Sequence, residues 1–175
     1  GLVATGAALA AGELLAGLIA GIPSPILSVG RLVVDLQPPG AKEVVVSIFG
    51  TADKLALEVA VLLVALAIGA GLGVLVRARA GIAYAVLGGF AVLGVIAGLR
   101  DPDAQPTLAA LAGFAELAVG ATALDRLIRL ASSPSPDAGA GAIAPDWSRR
   151  TLLLRGGAVA FASVAAGAIG RTLLV

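Results

Sequence analysis

Long apolar blocks separated by short polar connections dominate the chain. Each block holds about 20 residues, which is the length at which a helix crosses about 30 Å of hydrocarbon. The pattern predicts an all-α integral membrane protein, a bundle of five transmembrane helices. The predicted spans are Leu2 to Ile22, Leu55 to Val76, Gly81 to Leu99, Thr107 to Leu124, and the apolar run that follows Arg150.

The longest connection, 23–53, follows the first span and contains two further apolar pieces. Pro23, Ser24 and Pro25 are predicted to end the first helix, because proline lacks an amide hydrogen and disfavours helix in the residue before it. The pieces at 26–36 and 41–49 are too short to cross a membrane. They are predicted to form short interfacial helices in this first extracytoplasmic connection, rather than an irregular polar loop.

A second connection divides the chain into an N-terminal bundle and a final helix. Residues 132–148 are rich in Ser, Pro, Gly and Ala and have no hydrophobic periodicity, which predicts a flexible cytoplasmic linker. The predicted organisation is therefore a four-helix membrane bundle at 1–131, including the interfacial segment 23–53, then the linker, then a transmembrane helix within 149–175.

Composition supports the membrane assignment and excludes several functions. The chain is 59% hydrophobic and 13% charged, with a mean hydropathy of +1.04. A net charge of +1 and 3% aromatic residues argue against nucleic acid as a partner. The absence of Cys and His excludes disulfides, thiolate metal sites and histidine-ligated haem within these residues. No catalytic, cofactor-binding or metal-binding residue is identified.

Basic residues are distributed unevenly between the two sides of the predicted bundle. Cytoplasmic connections are enriched in Lys and Arg, so the richer side is predicted to be cytoplasmic. That side holds Arg77, Arg79, Arg126, Arg129, Arg149 and Arg150, and the other holds Arg31, Lys42, Lys54, Arg100 and Arg171. Five alternating spans then place the N-terminus in the cytoplasm and Val175 outside.

Arg149 and Arg150 stand directly before the last apolar block. A tandem arginine at this place is typical of a twin-arginine export signal, which predicts the twin-arginine translocase as a partner. The same pair also satisfies the preference for positive charge on the cytoplasmic side without any export role. The predicted direction of the last helix, from the cytoplasm outward, is the direction that an export signal requires.

Three carboxylates lie within the predicted spans: Glu13, Glu58 and Glu116. An acidic group at mid-bilayer costs about 2.5–3.5 kcal/mol on insertion scales, so each is predicted to face protein or water. Glu58 lies near the outer surface and is predicted to be a solvated residue there. Glu13 and Glu116 lie about 13 Å from the outer ends of their spans and are predicted to share a polar site inside the bundle. Two roles are open for this pair: it could only fix the packing of the helices, or it could form a site for a quinone or a proton.

A further set of residues forms a pattern of its own: Glu13, Ser24–Gly30, Val33–Leu36, Pro38, Lys42–Glu43 and Phe49–Lys54. In these residues the chain resembles the N-terminal membrane region of bacterial membrane-bound molybdopterin-dependent oxidoreductases of the sulfite oxidase family, which implies a place in the bacterial cytoplasmic membrane. The resemblance covers most of the chain, and its most specific parts are Phe49–Lys54 and the arginine pair. The export motif departs from the common pattern at Leu152 and Leu154.

The resemblance implies a function for the whole protein of which this chain would be the anchor. It implies an extracytoplasmic domain after Val175 that binds molybdopterin, a contact with a quinone or a redox partner, and no molybdenum ligand within these residues. The chain would deliver and tether that catalytic domain. The alternative is a self-contained small membrane protein, either an accessory or scaffold subunit of a membrane complex or a small transporter.

Overall fold

The computed structural model describes residues 1–38, 40, 47, 52–132 and 147–174, and over these residues the regular structure is entirely helical. Residues 133–146 of the predicted linker, and the second predicted interfacial helix apart from Ser47, lie outside the described residues. The all-α prediction is confirmed for the part that is described. The helices are α1 (Leu2–Leu18), α2 (Pro25–Asp35), α3 (Asp53–Gly98), α4 (Pro106–Ser132) and α5 (Trp147–Leu173).

Helix α1 ends earlier than the sequence predicts. Its last residue is Leu18, Ile19 is extended, and Gly21 has a φ of +88°, a left-handed conformation that favours glycine. The Gly21 carbonyl accepts a 2.9 Å hydrogen bond from the Gln105 amide, which ties this turn to the one before α4. The helix therefore stops at a tertiary turn rather than at Pro23, the first of the prolines that were predicted to end it.

Helix α3 has 46 residues but cannot be straight. A straight helix of that length would span about 70 Å, yet both of its ends lie against the short helix α2. At one end, a Cβ at Gly30 would lie 3.6 Å from Leu57 Cδ2, and just past the other end Asp101 pairs with Arg31. The reversal occurs at Arg79, whose φ of −146° and ψ of 72° are not helical. The break lies between the second and third predicted spans, so these form the two limbs of α3.

Helices α1 and α4 run antiparallel. Gly12 of α1 lies against Glu116, and a Cβ at Gly120 would lie 3.1 Å from the Ala8 Cβ. Residue numbers thus rise along one helix as they fall along the other. The first limb of α3 is also antiparallel to α1, because Thr5 lies against Gly69 and a Cβ at Gly6 would lie 3.8 Å from a Leu66 methyl group.

Helix α5 runs parallel to α1. A Cβ at Gly167 would lie 3.8 Å from the Ala10 Cβ, and Gly17 lies against the backbone of Gly170. Small residues at this contact let the two backbones approach closely. Along the chain, the helix directions therefore alternate: α1, the first limb of α3, its second limb, α4 and α5.

Two small clusters of buried residues form the core of the described part of the bundle. The first joins α1, both limbs of α3 and α4 near the Arg79 turn, through Ala4, Leu72, Val76, Ala83 and Leu124. The second lies near the other end of α1 and α4, around Ala16, Ile22 and Ala112.

Much of the outer surface is apolar. Phe114 on α4 and Phe161 on α5 are 71% and 78% exposed, as expected of side chains that face lipid. Within the described part of the chain, three helical segments are long and apolar enough to cross a membrane: Lys54–Gly98, Pro106–Arg129 and Leu153–Leu173. Helix α1, at 17 residues, is shorter than these. Helix length and composition therefore support a membrane protein, but they do not confirm the five predicted spans.

Candidate functional site

Glu13 is the most deeply buried charged side chain among the described residues, at 2% exposure. Its Oε1 accepts a 2.6 Å hydrogen bond from Ser24 Oγ and a 3.1 Å hydrogen bond from the Ile26 amide. Ser24 is itself the N-cap of α2, since its Oγ accepts from the Leu27 amide at 3.2 Å. A negative charge also interacts favourably with the N-terminus of a helix. Glu13 therefore fastens the start of α2 to α1.

Arg171, in the last turn of α5, brings a positive charge to the same place. Its Nη2 donates a hydrogen bond to Glu58 Oε2, and its Nη1 lies 3.8 Å from Glu13 Oε2. Both partners suit the helix dipoles, because Arg171 is near a helix C-terminus and Glu58 is in the second turn of α3. We call Glu13, Glu58 and Arg171 the ion trio. It joins α1, α3 and α5 and has a formal charge of −1 when its members are ionised.

Two polar atoms of the ion trio lack hydrogen bonds. Glu13 Oε2 and Arg171 Nη1 are buried, and neither makes a hydrogen bond within the described part of the chain. Their separation of 3.8 Å is within ion-pair range but too long for a direct hydrogen bond. The carboxylate oxygen could therefore accept a further hydrogen bond, and the guanidinium nitrogen could donate one.

A cavity of about 400 Å³ lies next to the ion trio. It lies between α1, the first limb of α3 and α5, with the ion trio among its lining residues. Most of the other lining is aliphatic, including Leu9, Leu62 and Val164. Ser163 adds a hydroxyl group, which donates to the Val159 carbonyl at 2.7 Å. The space is thus an apolar pocket with a charged boundary.

Glu116 occupies a different environment from Glu13. It lies against Gly12 on α1 and lines a second cavity of about 320 Å³, between the two limbs of α3 and helices α1, α2 and α4. The Glu116 carboxylate of α4 therefore lies beside Gly12 and Pro25, next to Glu13 and its partners Ser24 and Ile26, although the two carboxylates line different cavities. A shared polar site of Glu13 and Glu116 stays a prediction. The structure also links Glu13 to Glu58 through Arg171.

The arginine pair lies at the opposite end of the bundle. Arg149 and Arg150 are in the first turn of α5, and their side chains lie outside what the structure describes. Because α5 is parallel to α1, its start points to the end where α3 reverses at Arg79. Arg77, Arg126 and Arg129 belong to this end as well.

Sequence reasoning missed the role of Arg171 in the ion trio. It assigned Glu58 to the solvated surface, whereas Glu58 is 20% exposed and bonded to an arginine 113 residues away. One signal was present. Arg171 lies near the end of the last apolar block and Glu58 near the start of the second, so both were predicted to lie toward the outer side.

The described residues offer no group of three or more acidic side chains placed to hold a metal ion. Protein-family models, curated proteins and solved structures were compared with the chain, and none matches it.

Proposed function

We propose that the chain is a membrane anchor that crosses the bilayer five times and holds an extracytoplasmic domain at the end of α5. The observation that carries the proposal is the alternation of helix directions, with α5 parallel to α1. Four crossings between the start of α1 and the start of α5 would give this arrangement. Helix α3 would then cross twice, once with each limb.

The charge distribution supports an orientation for this anchor. The end of the bundle that contains Arg77, Arg79, Arg126 and Arg129 carries no acidic residue other than Asp125 among the described residues. At the other end, basic residues are paired with acids, as in Arg31 with Asp101 and Arg171 with Glu58. The positive-inside rule places the first end in the cytoplasm.

Helix α5 packs against the other helices as part of the bundle. It lies along α1 through Gly167 and Gly170, and the ion trio ties its last turn to α1 and α3. A domain attached after Val175 would therefore be held at the extracytoplasmic face. The sequence resemblance suggests that this domain is a molybdopterin oxidoreductase, exported by the twin-arginine translocase and working with a quinone or a redox partner in a bacterial membrane.

Cysteine labelling tests the topology. The chain has no cysteine, so Ala78→Cys near the Arg79 turn and Asp103→Cys before α4 would each be the single thiol. Both positions are exposed. An impermeant maleimide added to intact cells should label Cys at position 103 and not at 78, while both label after lysis. Labelling of both or neither in intact cells would refute an odd number of crossings between them.

A folded reporter fused after Val175 tests the export role. Lysine at both Arg149 and Arg150 keeps the positive charge but removes the arginine pair, and we expect the reporter to stay in the cytoplasm. The matched control is lysine at both Arg126 and Arg129, which should leave export unchanged. Export in the first variant would eliminate the translocase as a partner and leave a membrane anchor oriented by charge alone.

The alternative function is a self-contained membrane protein, a scaffold subunit or a small transporter. The cavity at the ion trio is the observation that favours it, because an anchor alone needs no such space. The intact mass of the native protein separates the two. A further domain of a few hundred residues after Val175 supports the anchor, and a protein ending there supports the alternative.

A further inference from the structure

The Glu116 carboxylate differs from the other two carboxylates of the predicted spans in having no partner. It makes no hydrogen bond or ion pair within the described part of the chain, since it lies against Gly12, which has no side chain, and Pro25, which has no amide hydrogen. Unlike Glu13 Oε2, neither of its oxygens is fully enclosed by the protein. The carboxylate is therefore open to a partner from outside the chain.

The cavity that Glu116 lines provides no positive charge to balance it. Among the described residues around this space of about 320 Å³, the only other polar side chain is that of Thr5, and none is basic. Glu13, which follows Gly12 on α1, is also an acid. An unpaired charge in an aliphatic space carries a large free-energy cost. The carboxyl group is therefore stable there only with a proton or with another cation beside it.

The walls of the cavity indicate that a ligand enters from the lipid. Four of the large apolar side chains that line it are 40–58% exposed, and they come from α2 and from both limbs of α3: Val33, Val64, Phe90 and Leu93. The volume is at the lower end of the range of small-molecule pockets, about 300–1,000 Å³. The space therefore suits a small head group with one apolar chain that extends into the bilayer.

Phe90 is a second feature that favours a cation. Gly113 of α4 lies against the second limb of α3, beside Val95 and the carbonyl of Ala91. Because α4 runs antiparallel to this limb, Glu116 lies about 4.5 Å nearer to the start of the limb, at the level of Phe90. Phe90 is the only aromatic residue among the described residues of the lining, and the face of an aromatic ring attracts cations. A carboxylate and an aromatic ring thus lie at the same level of the cavity.

Other membrane head groups suit this site less well. A fatty acid would bring a second carboxylate to Glu116, and a phospholipid would bring its phosphate into a cavity whose described lining has no basic partner. A neutral alcohol could donate a hydrogen bond to the carboxylate but would leave its charge unbalanced. An ammonium group both donates charge-assisted hydrogen bonds and balances the charge.

We propose that this cavity binds a hydrophobic organic ammonium ion with a single apolar chain, taken up from the membrane. The ammonium group lies against the Glu116 carboxylate at the level of Phe90, and the chain passes between the two limbs of α3 into the lipid. This role is additional to anchoring and rests only on the chain lying in a membrane.

Photolabelling of the full chain in phosphatidylcholine nanodiscs at neutral pH tests the proposal. The probes are a long-chain primary alkylamine, which is protonated at this pH, and the alcohol and fatty acid of the same chain, each with a diazirine in the chain. Labelled sites are mapped by mass spectrometry. The described lining includes no residue of α5, so labelling at Phe161 measures background from bulk lipid. Relative to this background, we expect the amine to label Ala65 and Ala91 about tenfold more than the alcohol, a difference of about 1.4 kcal/mol.

Two variants with matched controls locate the head and the chain of the bound amine. Glu116→Gln keeps the shape but removes the charge, so the preference for the amine should disappear. Glu58→Gln removes a carboxylate outside this lining and should keep the preference. Ala65→Leu adds volume to the lining and should abolish the excess labelling at Ala91, whereas Ala70→Leu, at an exposed position of the same limb outside the lining, should not.

Three results would overturn the proposal. Equal cavity labelling by the amine and the alcohol would point to a neutral occupant, such as a lipid alcohol or a quinol. A preference for the amine that survives Glu116→Gln would mean that the amine only adsorbs to the outer surface. A preference lost equally in Glu58→Gln would mean that the net charge of the bundle attracts the amine. None of these results alters cysteine labelling at positions 78 and 103, which tests the anchor function separately.

Discussion

Removal of the Glu13 side chain is the most informative test of how the bundle is held together. In Glu13→Ala, the Ser24 hydroxyl and the Ile26 amide lose their acceptor, and Arg171 loses its buried neighbour. A hydrogen bond inside a membrane protein contributes about 0.6 kcal/mol on average and up to about 1.7 kcal/mol. An unpaired buried donor adds a penalty of about 1–3 kcal/mol.

The expected loss of unfolding free energy for Glu13→Ala is therefore about 2–4 kcal/mol, since two donors are affected. Glu13→Gln can keep one oxygen for α2, so we expect a loss of only about 1 kcal/mol. The assay is unfolding of the purified chain in mixed micelles by increasing SDS, followed by circular dichroism. Asp125→Asn is the control, because its pair with Arg129 is exposed and such pairs contribute about 0–1 kcal/mol.

The ranking of these variants decides between two roles for Glu13. If the carboxylate acts mainly as an acceptor for the start of α2, Ala must be clearly worse than Gln. Equal losses for Ala and Gln would mean that the charge opposite Arg171 is what matters, and the capping argument would be wrong. A loss for Glu13→Ala no larger than that for Asp125→Asn would refute both.

The remaining predictions concern the contacts around the same site. Gly170→Ala should weaken the docking of α5, because the new Cβ would meet the Glu13 carbonyl, and overpacking costs about 1–3 kcal/mol. Gly157→Ala is the control, because the space beside Gly157 is open, and SDS unfolding should show no loss of stability for it. Ser24→Ala should cost about 1 kcal/mol or more through the lost N-cap of α2, and little or no change would contradict the assigned cap. Glu58→Gln should cost less than about 1 kcal/mol, since its pair with Arg171 is partly exposed.

The fold class could be predicted from the sequence because it depends on local patterns. Blocks of about 20 apolar residues form helices wherever they are placed in a membrane, since every backbone group must be bonded within the segment. The positions of the α3 limbs, α4 and α5 follow from these blocks, and the break at Arg79 falls in the predicted polar connection. Pro25 begins α2 as the residue type favoured at the first turn of a helix.

The features that could not be predicted depend on contacts between distant segments. The end of α1 is set by a turn in which the Gly21 carbonyl accepts a hydrogen bond from the Gln105 amide, and this contact with a distant segment is not encoded near Leu18. Gly17 and Gly21 have the spacing of a small-residue contact face, yet only Gly17 lies within the helix. The pairing of Glu58 with Arg171 likewise requires that α3 and α5 be neighbours, which hydrophobic periodicity does not encode.

If α5 crosses the membrane as proposed, the ion trio gives a physical reason for it to join the bundle afterwards. If the start of α5 is cytoplasmic, Arg171 must pass through the bilayer as the helix inserts, and an arginine at the bilayer centre costs about 2.5–3.5 kcal/mol on insertion scales. Glu13 and Glu58 belong to helices that precede α5 in the chain, so their carboxylates can be in place before it arrives. Docking against α1 then supplies opposite charges to Arg171 at the end of its path. The carboxylates of Glu13 and Glu58 cost free energy when α1 and α3 are inserted, and they are also the groups that hold the last helix in place.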